Sequence, residues 1–343
     1  MSAVLRRPTT PPEPDPTRRK GSLFRSELHR FRSRRFIQVL LGLAVLGWVA
    51  ATGIALLTYG EPSQADYAVA QERFDQFLAE EEQWREQCAR DAETAGQTEE
   101  VFCGPHVQET ELRVESFLDT APFDLATSGA AGSMAVAATA AAMAFLIGAT
   151  WIGAEWSTRS IVALLFWVPA RLTVVGMKIG VLVLATAVLG VIAQLGWLLM
   201  AAILRSLVGA DRELPADFWP DLLAQQGRSV LLTVLAGLLG FGLANLIRNT
   251  GAALGVGFVY FAIVENALRI VEPTWDRWLL STNAVALVLP GGTRIYDYSA
   301  VEAQIGAPPS YLVTNLQGGL VVTAFTAGIV GVGVLLFTRR DLH

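Results

Sequence analysis

The chain has 343 residues, 52% hydrophobic and only 17% charged, with a formal net charge of −5 at pH 7, and its mean hydropathy is +0.43. A soluble domain of this size carries about a quarter charged residues, so a water-soluble globular protein is excluded and no nucleic-acid partner is expected. The three histidines (29, 106 and 343) are far apart, and no His-Glu-x-x-His, Gly-x-Ser-x-Gly or Cys-x-x-Cys occurs. An embedded hydrolase or metalloprotease therefore does not fit, no catalytic residue is named, and no metal site is expected.

Residues 1–21, with "PTTPPEPDP" at 8–16, are Pro-rich and polar and read as a disordered tail. The following stretch, 22–35, places Leu23, Phe24, Leu28 and Phe31 on one helical face with Arg25, Arg30, Arg32, Arg34 and Arg35 around it. This is the pattern of a basic amphipathic helix lying on a membrane surface, where anionic lipid attracts it; a plain basic flank is the simpler reading. A first apolar span follows at 36–59. No small-residue cleavage site follows it, so it reads as a retained anchor.

The segment 60–128 carries 17 Asp/Glu against 4 Lys/Arg. Tyr67, Phe74, Phe77, Leu78, Trp84 and Cys88 recur at helical spacing, and "VQETELRVESFL" (107–118) suggests a second helix. Cys88 and Cys103, the only cysteines, fall between them. A pair in an exported loop reads as a disulfide tying a helical hairpin, and closing about 15 residues contributes roughly 3 kcal/mol. Two free thiols or a zinc site are the alternatives, the latter with only His106 at hand. The acidic face suits cationic ligands, or more simply a solvated surface.

Five more stretches approach the roughly 20 apolar residues a spanning helix needs: 129–153, 174–204, 229–247, 251–271 and 316–337. Lys178, one turn into the third span, can snorkel to the interface. The pairs Gly176–Gly180 and Gly251–Gly255 have the Gly-x-x-x-Gly spacing of close helix contacts, within the subunit or at a dimer seam. Polar groups inside spans are candidates for a substrate path: Glu265 and Asn266 in the fifth, Gln194 in the third and Asn245 in the fourth. Glu265 also has Arg269 at i+4, which allows a purely structural pair. The connection 205–228 is a loop, 248–250 a turn, and 272–315 a long loop. The apolar piece of that long loop, 278–290, is too short to cross and reads as a re-entrant or interfacial segment reversing at "PGGT" (290–293).

Basic residues set the orientation. Sixteen of the 26 Lys/Arg fall on the side of the N-terminal segment, the second-to-third and fourth-to-fifth connections and the C-terminal segment 338–343. The fold class is thus an all-α integral membrane protein of six transmembrane helices. Both termini are cytoplasmic, and a helical extracytoplasmic insertion lies between spans one and two.

One connection, 154–173, is unusual. Nine apolar residues, 161–169, sit between Arg159 and Arg171. As a helix they measure about 14 Å, too short to span. Ile161, Leu164, Leu165 and Val168 would line one side of a surface helix that leaves Glu155, Arg159 and Arg171 wet. The order Glu155, Arg159-Ser160, Leu164-Leu165, Pro169, Arg171, Lys178 resembles the signature of type-2 ABC transporter permeases. Those have a Glu, a small pair (usually Gly-Thr), Leu-Leu, Pro-x-Ser-Arg and a Lys in the same connection. "ELHRFRSRR", "FTRRDL" and the six-span layout are similar as well. Arg159-Ser160 departs from the usual Gly-Thr, and Ala170 from Ser.

The resemblance implies a dimeric permease, most often of an exporter, paired with an identical or related second permease and two copies of a separate ABC ATP-binding subunit. On that reading Glu155, Arg159 and Arg171 couple to the ATPase. The chain itself has no phosphate-cradling Gly-x-x-x-x-Gly-Lys-Ser/Thr, so it binds no cofactor, and ATP and Mg belong to the partner. Membrane lipid is the remaining partner, and a prokaryotic plasma membrane the expected location. Two other classes remain: a secondary transporter, for which no internal repeat is visible, and a non-transporting sensor or scaffold using the acidic segment.

Overall fold

A computed structural model describes residues 16–96, 98–103, 113–167, 170–210, 212–296 and 310–339. In chain order the helices are α1 (Pro16–Arg32), α2 (Arg35–Thr58), α3 (Gln64–Ala95), α4 (Glu99–Phe102), α5 (Leu125–Ser157), α6 (Ser160–Trp167), α7 (Arg171–Val208) and α8 (Phe218–Ile247). Then come α9 (Thr250–Val271), α10 (Leu280–Val288), the strands β1 (Thr293–Tyr296) and β2 (Ser310–Val313), and α11 (Asn315–Arg339). Helices α2, α5, α7, α8, α9 and α11 are each long and apolar enough to cross a membrane. The protein is therefore a multi-pass membrane protein, mostly helical among the described residues, with β1 and β2 paired antiparallel.

Three of these helices outrun the apolar stretches. α5, α7 and α8 have 33, 38 and 30 residues; at 1.5 Å per residue that is about 45–57 Å, well beyond a hydrocarbon layer of about 30 Å. α8 starts at Phe218 rather than at 229. Its first turns are polar but pack into the bundle: Gln225 is buried and its Nε2 donates to the Ala130 carbonyl at 2.8 Å. The loop before α8 shrinks accordingly. It is pinned where the Phe123 N–H donates to the Val208 carbonyl (2.8 Å) and the Ala210 N–H to the Phe123 carbonyl (2.9 Å).

α8 is the centre of the bundle, packed on α5, α7 and α11. Glycines let α5 and α8 touch backbone to backbone: a Cβ at Gly148 would strike the Gly237 carbonyl, and one at Gly240 the Phe145 carbonyl. The Gly-x-x-x-Gly pairs singled out in the sequence are not these seams. A Cβ at Gly176 or Gly255 would meet nothing within 4 Å among the described residues, because those positions face away from them. α2 is peripheral, with Val39, Leu43 and Leu46 exposed. It is held to α7 by the Trp48 indole N–H, which donates to the Gly196 carbonyl at 2.9 Å.

α1 begins at Pro16, inside the expected tail, with proline at the helix start where its missing N–H leaves no bond unmade; residues 1–15 lie outside the described residues. Phe31 is buried, and Phe24 and Leu28 pack with it on the core formed by Trp151, Ile161, Val175 and Val181. The apolar face of α1 is therefore spent on the bundle and not on lipid, contrary to expectation.

At the other end of the bundle, α3 opens with a capping box. The Ser63 hydroxyl accepts from the Asp66 N–H (3.3 Å), and the Asp66 carboxylate accepts from the Ser63 N–H (2.8 Å). Cys88 and Cys103 form a disulfide with Cα atoms 6.0 Å apart, joining α3 to the single turn of α4. The helix expected over 107–118 is absent where described: 113–118 holds only a 3₁₀ turn, Val114–Phe117. Phe117 docks there on Phe74 and Phe77, so the chain is held by aromatic contact rather than by helix pairing; residues 107–112 and His106 lie outside the described residues. The apolar piece after α9 is α10, buried through Leu280, Ala286, Leu287 and Val288. The reversal at "PGGT" uses Gly291 and Gly292 at φ +75° and +94°, a region open to glycine.

Candidate functional site

The bundle end that gathers the starts of α2 and α7 and the ends of α5, α8 and α11 carries a buried ion network. Lys178 on α7 is fully buried. Its Nζ donates to Glu27 of α1 at 2.7 Å and to Glu155 of α5 at 2.8 Å. Arg34, between α1 and α2, donates through Nη2 to Glu155 (3.1 Å) and through Nη1 to the Thr150 carbonyl (3.0 Å). Two carboxylates thus face two cations. Trp151 lies beneath both cations, with Arg34 4.5 Å and Lys178 4.8 Å from the ring centroid, and Phe31 meets it edge-on at 5.1 Å. Burial lowers the Arg34 pKa, and Glu155 works against that shift.

This corrects two expectations. Glu155 is not wet, being about 5% exposed, and Lys178 does not snorkel. The helices are longer than a hydrocarbon layer is thick, and α1 packs over these positions, so residues that hydropathy alone places at an interface are covered by protein. Sequence reasoning missed Glu27 and Trp151. The available signal was one acid, Glu27, on the apolar face of an arginine-rich helix, flanked by Phe24, Leu28 and Phe31.

α6 lies against this network. Ile161 is fully buried, whereas Phe166 and Trp167 are 86% and 87% exposed; Val168 and Pro169 lie outside the described residues. Between α6 and the α1–α2 junction is a cleft of about 430 Å³ lined by Arg30, Ser33, Arg34, Glu155, Ser160, Leu164 and Trp167 among others. Arg159, exposed, occupies the left-handed region at φ 54° in the turn from α5 to α6. Arg171 opens α7 and donates to the Phe337 and Thr338 carbonyls (3.4 and 3.1 Å), capping the end of α11. Glu155 and the α6 turn are thus brought together, while Arg171 is turned toward α11. Arg25, Arg30, Arg32 and Arg35 remain exposed, and only Arg34 is drawn inward.

The polar residues inside the spans are dispersed. Gln194 binds Ser133, its Oε1 accepting from Oγ at 2.9 Å and its Nε2 donating to the carbonyl at 3.2 Å, a tie between α5 and α7. Asn245 accepts from the Trp156 indole N–H at 3.1 Å near the ion network. Asn266 donates back to the Phe261 and Ala262 carbonyls beside a π turn, Tyr260–Val264. Glu265 is buried and accepts from the Ser281 N–H at 3.1 Å, with Arg269 at 3.9 Å. Arg269 in turn binds Asp276, Ser281 and Thr282 beside a second cleft of about 350 Å³. Gln194, Asn245, Glu265 and Asn266 are therefore held in separate contacts among the described residues. Nor do those residues include a group of three or more His, Cys, Asp and Glu placed to hold a metal.

No family model matches the chain, and no curated protein matches it.

Proposed function

We propose that the chain is the permease subunit of an ATP-driven ABC transporter of the type-2 exporter class, with α6 as the element that a separate ATP-binding subunit grips. The observation that carries this reading is α6 itself. It is an eight-residue apolar helix that leaves Phe166 and Trp167 bare and lies against the buried Lys178–Glu155–Glu27 network. A helix of this length that exposes two large aromatic rings needs a partner to cover them. Force applied to α6 passes through a two-residue turn to Glu155, and from there through Lys178 to α7 and Glu27 to α1. The signature residues Glu155 and Lys178 are in direct contact, and the left-handed Arg159 stands where the signature usually has glycine, the residue that conformation favours.

On this reading the basic end is cytoplasmic, the acidic α3 segment lies outside, and the membrane is a prokaryotic plasma membrane. The chain works as a dimer with an identical or related permease. The test is mild purification of the tagged protein from its native membrane, with mass spectrometry of its companions. A stoichiometric ATP-binding subunit is expected with the natural chain and is lost with Phe166→Ala/Trp167→Ala, whose yield and melting temperature stay unchanged. Absence of such a subunit after crosslinking contradicts the reading.

A further inference from the structure

We propose that the cleft between the α1–α2 junction and α6 is a binding site for the phosphate of an anionic phospholipid. The inference does not depend on the transporter reading.

Charge comes first. At this end the described residues include Arg25, Arg30, Arg32, Arg34, Arg35 and Arg159 outside or at the edge of the core, and only two carboxylates, Glu27 and Glu155. Both carboxylates are already engaged by Lys178 at 2.7 and 2.8 Å, and Glu155 also by Arg34. The arginines are therefore a true surplus, and a surplus focused on a concave surface selects an anion. Glu155 lines the cleft, but as the neutralised partner of two cations.

Shape and polarity come second. The cleft, about 430 Å³, is lined by Arg30 and Arg34 together with Ser33 and Ser160. Guanidinium forks and hydroxyls together suit phosphate oxygens. Arg30 is more than half exposed and holds Glu27 only loosely, at 3.5 Å, so it has donors to turn toward a ligand.

The surroundings come third and select a lipid over a free phosphate. Arg34 leads directly into α2, whose Val39, Leu43 and Leu46 are about 60% exposed or more and run away from the cleft as an apolar track for acyl chains.

The experiment is native mass spectrometry of the delipidated full-length protein in detergent. It is titrated with phosphatidylglycerol, with phosphatidylcholine of the same chains, and with glycerol 3-phosphate as the free-phosphate arm. One phosphatidylglycerol should bind in preference to phosphatidylcholine, and millimolar glycerol 3-phosphate should not displace it. Arg30→Gln should weaken that binding about tenfold, the loss of one charge-assisted contact, and Ser160→Ala should weaken it less. Arg25→Gln, on exposed α1 surface, should change it by no more than about twofold. Equal binding of the two lipids, or equal effects of Arg25→Gln and Arg30→Gln, would overturn the site in favour of diffuse attraction. Displacement by glycerol 3-phosphate would overturn the lipid assignment. So would failure to bind phosphatidylglycerol while Arg30→Gln weakens capture of a partner protein, which would make the cleft a protein dock.

Discussion

Lys178 is the residue on which the basic end depends. A lysine removed from water is tolerated only with close counter-charges, and it has two carboxylates within 2.8 Å. Lys178→Ala leaves Glu155 with Arg34 alone and Glu27 with only its looser 3.5 Å contact to Arg30, and should destabilise the protein by about 3–5 kcal/mol, read as a fall in thermal unfolding temperature in detergent. The double variant Glu27→Gln/Lys178→Met keeps the Arg34–Glu155 pair balanced and should recover most of that loss. Arg159 gives a contrary case. A non-glycine residue at φ 54° is strained by about 1–2 kcal/mol, part of which glycine's extra freedom in the unfolded chain offsets. Arg159→Gly should therefore raise stability by up to about 1 kcal/mol, and Arg159→Val should lower it; the same unfolding measurement decides. Spacing made the Glu265–Arg269 pair legible, since i and i+4 share a helical face, and they stand 3.9 Å apart. It could not reveal Lys178 with Glu27, which lie 151 positions apart in the chain and meet only because α1 folds onto α7.

Helices in this protein were legible where a single periodicity governs them and obscure where tertiary contact decides. α1 shows both outcomes. Its amphipathic face is plain in Leu23, Phe24, Leu28 and Phe31, but apolar periodicity does not say whether lipid or protein covers that face. α8 shows a second limit: hydropathy marks the apolar part from 229 and misses the turns from Phe218 to Arg228, where Gln225 is drawn into the bundle by its bond to the Ala130 carbonyl. α3 can be probed through pH. The Ser63 backbone N–H and hydroxyl hold the Asp66 carboxyl below the usual carboxylate range. A depressed carboxyl stabilises the folded state above its unfolded pKa of about 3.9 and loses that contribution as pH falls through the lower folded value. Hydrogen exchange of the amides at 65–67, corrected for intrinsic rate, should therefore rise as pH drops below about 4, and Asp66→Asn should abolish that dependence. A start of α3 equally protected at low and neutral pH would show that the cap contributes nothing there.

At the scale of the whole molecule, the six apolar helices, α8 among them, were written in the composition, and the pairing of Cys88 with Cys103 in its cysteine count. The seams between helices were not. Gly148, Gly237 and Gly240 make the close approaches, whereas Gly176 and Gly255 point away from the chain, because spacing marks a possible contact and only the fold chooses its partner. Those outward positions, the bare α2 surface and the aromatic end of α6 belong to a chain that presents much of itself to lipid or to other subunits. The central claim is that a separate ATP-binding subunit covers α6. The most direct test replaces Trp167 with a photoreactive phenylalanine analogue in native membranes, irradiates, and identifies the adduct by mass spectrometry. The account predicts one dominant protein adduct, carrying both nucleotide-binding motifs of an ABC ATPase. Adducts confined to lipid or to a second copy of this chain would contradict it.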